Sequence, residues 1–118
     1  MIEVKASIQY GERLKSYNAW NKEMPIAVKG VGTVRDAFQL PPMVRVIIPT
    51  DTSVELKDDQ TVSKVYSNKE VALKKGLVLV GGVQLVTESG KVELVVQNIS
   101  DSLVIISNGD LLGNIVTA

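Results

Sequence analysis

The sequence contains no cysteine and no histidine. Without cysteine there is no disulfide, no thiolate metal site and no thiol nucleophile. Without histidine the commonest general base and the commonest zinc ligand are missing, along with every Ser-His or Cys-His arrangement. Carboxylates, lysines and tyrosines are what remain for acid-base work. An excess of charge of one sign is also lacking: 13 Lys and Arg balance 13 Asp and Glu. No long-range field favours nucleic acid or an anionic membrane, so any partner, protein partners being expected, must be held by shape and local contacts. The longest apolar runs, Val78-Leu79-Val80 and Leu103 to Ile106, fall far short of the roughly 20 residues needed to cross a bilayer. The start, Met1-Ile2-Glu3-Val4-Lys5, lacks the basic and apolar stretches of a secretory signal, which favours an intracellular or virion-associated protein or a domain cut from a polyprotein.

What is present is a chain of 118 residues, the size of one domain with its own core. Residues 1–118 are read as a single unit, with 1–30 as an N-terminal strand and cap and 31–118 as a barrel core. Val, Ile and Thr are abundant, and apolar residues recur at a spacing of two, which favours strands. Glu3 to Tyr10 alternates through Val4, Ala6, Ile8 and Tyr10 as a half-exposed strand. Residues 11–25 admit two readings, a short helix with Tyr17, Trp20 and Met24 on one face or a loop capping the barrel. Pro25 opens a β stretch through Val28, punctuated by Gly30 and Gly32.

Val44 to Pro49 reads as a strand fenced by prolines, whose ends must lie at edges or turns because proline donates nothing to a ladder. Further strands are expected at Thr61 to Tyr66, Leu77 to Val80, Val83 to Thr87, Val92 to Asn98, Leu103 to Ser107 and Leu111 to Val116. Lys57 to Gln60 reads as a polar turn. Glu88 to Lys91 and Ser107 to Asp110 read as hairpin turns, the second with an Asn-Gly pair suited to positive φ at both central positions. Gly81-Gly82 suggests a bulge or a close strand approach. Short strands at intervals of about 8 to 12 residues make the fold all-β, a sandwich or barrel.

Isolated chemical motifs are few. Asp58-Asp59 is an adjacent carboxylate pair in a lysine-flanked turn and reads as a solvated tip rather than a magnesium site. Gly30-Val31-Gly32 lacks the third glycine and the strand-to-helix setting of a dinucleotide loop. Trp20, the single tryptophan, reads as a core or interface plug rather than a ligand stacker.

Leu40-Pro41-Pro42, Arg45 and Ile48-Pro49-Thr50, then Ala72 to Leu77, Gly82-Val83, Gly90, Val92, Val95-Val96, Asn98, Ser100-Asp101 and Gly109-Asp110, follow one another in an order that resembles the dUTPase family over roughly residues 40–116. The resemblance implies a jelly-roll-like barrel and, as in most of the family, a homotrimer. It also implies a third motif with a water-activating aspartate and, three residues later, a tyrosine that stacks under deoxyribose. The matching positions here are Leu85 and Glu88. Leucine accepts no proton, and Glu88 falls in a turn, where it reads as a solvated carboxylate. Tyr66 to Glu70 offers no Arg-Ser pair in clear register; Ser67 or Lys69 could touch phosphate, but they read as surface polar residues rather than phosphate ligands. In the fourth motif Gly109-Asp110 is kept, while the arginine position holds Leu111 and the glutamine falls on Asn114. The Gly-rich arm that follows in the family has no counterpart before Ala118.

The run from Leu40 through Gly113 is similar, more narrowly, to the degenerate β domain near the protease of Ty3/gypsy-type retroelement polyproteins. The expectation is therefore a non-enzymatic module of dUTPase-like fold, an assembly or interaction domain of a retroelement or viral protein, with no catalytic, cofactor-binding or metal residues and no cofactor. Two alternatives stand beside it. One is a divergent nucleotide-binding or nucleotide-hydrolysing enzyme in which Asp36, Glu70 or Glu88 replaces the lost base and Mg²⁺ is carried by substrate phosphates. The other is a capsid protrusion or decoration domain.

Overall fold

Alternation of apolar and polar residues in the middle of the chain builds its central sheet. The computed structural model describes residues 2–53, 64–86 and 90–116. Strands β6 (Arg45–Ser53) and β9 (Lys91–Asn98) pair antiparallel with Val46 opposite Val96 and Ile48 opposite Leu94. All four side chains are buried, each such burial contributing about 1.5–3 kcal/mol. β3 (Ser16–Tyr17) extends this sheet beyond β6, and β8 (Leu77–Val86) extends it beyond β9, giving the order β3-β6-β9-β8.

A second sheet runs β1 (Ile2–Lys5), β11 (Leu111–Val116), β7 (Lys64–Ser67), with β11 in the middle. The two sheets meet at both flanks. Past β1, Ala6 bridges Thr50 of β6 and the Ser7 N–H donates to the Pro49 carbonyl at 2.9 Å. Past β7, the Ser67 hydroxyl accepts the Leu79 N–H at 3.0 Å. Two short ladders complete the fold: β2 (Arg13–Leu14) with β4 (Ile26–Ala27), and β5 (Ala37–Leu40) with β10 (Val104–Ser107). Val4, Ala6, Ile8, Leu14 and Val28 share one core with Phe38, Leu40, Val96 and Ile106. The architecture is all-β, with one short helix among the described residues, α1 (Lys69–Lys75).

Several elements depart from their expected form. Strand β1 ends at Lys5, and although Val4, Ala6 and Ile8 are buried, Tyr10 is exposed. Residues 11–25 form β2, β3 and a tight turn rather than a helix. The Asn18 side-chain oxygen accepts the N–H groups of Trp20 and Lys22 at 2.9 and 3.0 Å, capturing donors that a helical ladder needs. Trp20 stands 88% exposed on this turn, so it is no core plug.

Pro49 does not end its strand: β6 continues to Ser53, with its register against β9 shifting between Pro49 and Ser53. The Pro49 carbonyl accepts from Ser7, so its donorless nitrogen lies on the side of β6 away from β9, past the short pairing with β3 and beside the Ala6–Thr50 bridge. The stretch expected as two strands around Gly81-Gly82 is one strand, β8, whose register shifts between Leu79 and Gln84. Five steps along β8 match two along β9 there, so the interruption predicted at the glycines is an irregular bulge.

Ser107 to Asp110 is a turn between sheets and not a hairpin, since β10 pairs with β5 and β11 with β1 and β7. The Gly109 N–H donates to Ala6 and the Asn108 N–H to Asp36, both at 2.8 Å. Only Gly109 of the Asn-Gly pair takes positive φ, at 87°. The polar turn 57–60, the first residues of the strand expected from Thr61 and the turn residues 87–89 lie outside the described residues.

Helix α1 is a feature the pattern of strands concealed. Its signals are local: Asn68 caps it, Glu70 lies in its first turn, Lys74 and Lys75 in its last, and Gly76 closes it with φ 71°.

Candidate functional site

The segment expected to carry the second motif lies between β7, α1 and β11. Pairing of Tyr66 with Asn114 and of Ser67 with Gly113 brings the expected second and fourth motifs together. The polar groups gathered there are engaged with one another. The Asn68 side-chain oxygen accepts the Glu70 and Val71 N–H groups at 3.0 and 3.1 Å, and its amide nitrogen donates to Asn114 Oδ1 at 2.8 Å. Ser67 is taken by the Leu79 N–H. Lys69 is exposed. Leu111, at the arginine position, is half-buried and packs against the core. This arrangement positions α1 on the barrel.

An Asn68→Ala variant therefore loses a helix cap, worth about 1 kcal/mol, and a side-chain hydrogen bond worth up to about 1 kcal/mol more. Thermal unfolding is expected to fall by about 4–8 °C, without change in the far-UV signature of the sheet.

Asp110 and Asn98 serve the fold. The Asp110 carboxylate accepts the Ser107 N–H at 2.9 Å and pairs with the Lys75 ammonium at 3.7 Å. Asn98 is fully buried at the end of β9. Its amide donates to the carbonyls of Leu40 and Ser102 at 2.9 and 2.8 Å, and its oxygen accepts the Ser100 N–H at 2.9 Å and hydroxyl at 2.7 Å. One side chain thus ties β9, β5 and the loop before β10. Its position in an apolar strand was visible in the sequence; its four partners were not.

The remaining expected residues are dispersed. Leu85 lies on β8 opposite Glu93 of β9, while Glu88 and the Asp58-Asp59 pair fall outside the described residues. Asp36 precedes β5 and its carboxylate accepts the Tyr10 N–H at 2.8 Å. Glu70 sits on α1, and no hydrogen bond or ion pair joins it to Asp36 among the described residues. No group of three or more acidic side chains able to hold a metal ion occurs among the described residues. Gly30 precedes, and Gly32 lies within, a small loop closed by the Val31–Val34 bridge, both with positive φ, as expected of backbone punctuation.

The sequence model of one family, dUTPase, matches residues 33–118. The chain belongs to the dUTPase family. The match covers most of the chain, including every strand from β5 to β11, and the all-β, dUTPase-like fold expected from the spacing of residues 40–116 stands. A search of curated proteins found no match. No helix is long and apolar enough to cross a membrane among the described residues. Within this dUTPase-family fold Asp110 fixes the turn at Ser107, and Asn98 is a buried tie between β9, β5 and the loop before β10.

Proposed function

We propose that this dUTPase-family chain is a non-enzymatic β module, an assembly and interaction domain of a retroelement or viral protein that works as a homotrimer. The observation that carries the reading is the Asn68–Asn114 pair. Where the expected second and fourth motifs meet, the Ser67, Asn68 and Asn114 side chains are engaged with the helix and the sheets, which supports a structural role for them. Leu85 at the position of the water-activating aspartate and Leu111 at that of the arginine support the same conclusion, since neither side chain transfers a proton or balances phosphate charge. The resemblance of residues 40–113 to the β domain beside retroelement proteases supports the context.

Pyrophosphate release from dUTP with Mg²⁺ tests the absence of enzymatic activity. The expected rate is indistinguishable from that of buffer. Turnover that disappears in Glu88→Gln would identify a replacement base and overturn the non-enzymatic reading.

A further inference from the structure

Asn108-Gly109 is the single Asn-Gly step in the sequence; the other asparagines are followed by Ala19, Lys22, Lys69, Ile99 and Ile115. Where glycine follows asparagine, no side chain shields the peptide nitrogen from the asparagine Cγ. Attack forms a bond from the Gly109 nitrogen to Asn108 Cγ and breaks the Cγ–Nδ2 bond. The Gly109 amide proton passes through water to the departing nitrogen, and ammonia leaves. Water then opens the cyclic imide to aspartate or to isoaspartate, in which the main chain runs through Cγ. Nothing beyond water is consumed.

Asn108 and Gly109 are both exposed, yet both reacting groups are held. The Gly109 N–H, whose proton must go before attack, donates to the Ala6 carbonyl at 2.8 Å. The Asn108 carboxamide oxygen accepts the Ile8 N–H at 3.0 Å. The turn is pinned further by the Ala6 N–H, which donates to the Asp110 carbonyl at 2.9 Å, and by the Asn108 N–H, which donates to the Asp36 carbonyl at 2.8 Å. Nucleophile and electrophile are thus restrained by one short segment, residues 6–8. That segment is anchored in turn: Ala6 and Ile8 are buried in the core, and the Ser7 N–H is bound to Pro49. The restraint opens when the segment leaves the barrel, a local opening that does not require the central sheet to unfold.

We propose that Asn108 is a site of spontaneous deamidation gated by the docking of residues 6–8. While the segment is docked the pair is protected; when it departs, Asn108 reacts. Isoaspartate adds one methylene to the backbone between residues 108 and 109 and places a new carboxylate in a turn that already holds Asp110. Ala6 and Ile8 then cannot regain all their partners, so the opening is made permanent by the change in covalent structure.

The test incubates the full chain in mild alkali and follows product at Asn108 by peptide mapping and mass spectrometry. The acetylated peptide Ser-Asn-Gly-Asp-Leu is the unrestrained reference. The folded chain is expected to react at least about tenfold more slowly than the peptide, and the chain in urea at the peptide's rate. Ile8→Val keeps the backbone donor but loosens the segment's anchor, and is expected to accelerate the reaction at least about threefold. Val92→Ala, a core truncation in β9, is the control for general loss of stability and is expected to change the rate by less than about twofold. A folded-chain rate within about twofold of the peptide's would overturn the proposal, because the turn would then give no protection. So would acceleration no greater in Ile8→Val than in Val92→Ala, because the reaction would not then depend on residues 6–8. The isoaspartate form, separated by its added negative charge, is expected to exchange the Ile8 amide proton faster than the parent chain. Unchanged protection of that amide would contradict permanent release.

Discussion

Replacing Asn98 by alanine is expected to destabilise the chain by about 3–5 kcal/mol and to lower its melting temperature by about 12–20 °C. The side chain is fully buried and all its hydrogen-bonding capacity is used: two carbonyls, Leu40 and Ser102, and two donors from Ser100. Alanine removes four hydrogen bonds at once; the one to the Leu40 carbonyl is buried, and those to Ser100 and Ser102 are part-buried. The cost is that of desolvated groups without partners, larger than the net value of the bonds themselves. Asn98→Asp is expected to be at least as harmful, since a carboxylate would face the two carbonyls to which the amide now donates. Ser100→Ala, which deletes only a hydroxyl partner, serves as the control at about 1 kcal/mol. Denaturant unfolding of the three variants checks the ordering; a loss below about 1 kcal/mol for Asn98→Ala would show that the network is not what joins these elements.

Gly113→Ala is the second large effect, expected at about 2–3 kcal/mol, or about 8–12 °C. Gly113 lies in β11 between Val4 of β1 and Ser67 of β7. A Cβ there would meet the Tyr66 carbonyl oxygen at 2.7 Å and Leu79 Cδ1 at 3.0 Å. The leucine can turn aside, but the carbonyl belongs to a paired strand and moves only with the sheet. Gly109→Ala makes an instructive contrast. Nothing lies within 4 Å of its added methyl, and its cost is the backbone strain of φ +87°, about 1–2 kcal/mol. Thermal melts that place Gly113→Ala within about 0.5 kcal/mol of the parent would show that the β7–β11 approach is loose.

The strands that build the barrel were legible where one face is buried and the other is not. In β9, Val92, Leu94 and Val96 point inward between Lys91, Glu93 and Gln97, and a period of two in the sequence states as much. Residues 11–25 were not legible, because Tyr17, Trp20 and Met24 match a helical spacing while the deciding interaction is one asparagine side chain closing a turn on Trp20 and Lys22. Helix α1 carried its cap signals openly at Asn68 and Gly76, yet seven residues present too little apolar periodicity to separate a helix from a loop between strands. The turn at Ser107 to Asp110 illustrates a more general limit. Turn chemistry announces that the chain reverses, but the choice of partner strand depends on contacts remote in sequence, here Ala6 and Asp36.

The candidate site divides in the same way. Leu85, Leu111 and Asn114 stand in the sequence as substitutions of a recognisable pattern. The bond from Asn68 to Asn114 joins residues 46 apart, and neither residue's type predicts the other as its partner. The sequence supplies the residue types; the pairing supplies what Asn68 and Asn114 do.

The most direct test of a dUTPase-family fold used for assembly rather than nucleotide chemistry is calorimetric titration with a non-hydrolysable dUTP analogue and Mg²⁺, with the mass in solution determined on the same sample. A trimer that gives no binding heat is the predicted result. Saturable nucleotide binding, or a chain that stays monomeric across a wide concentration range, would contradict it.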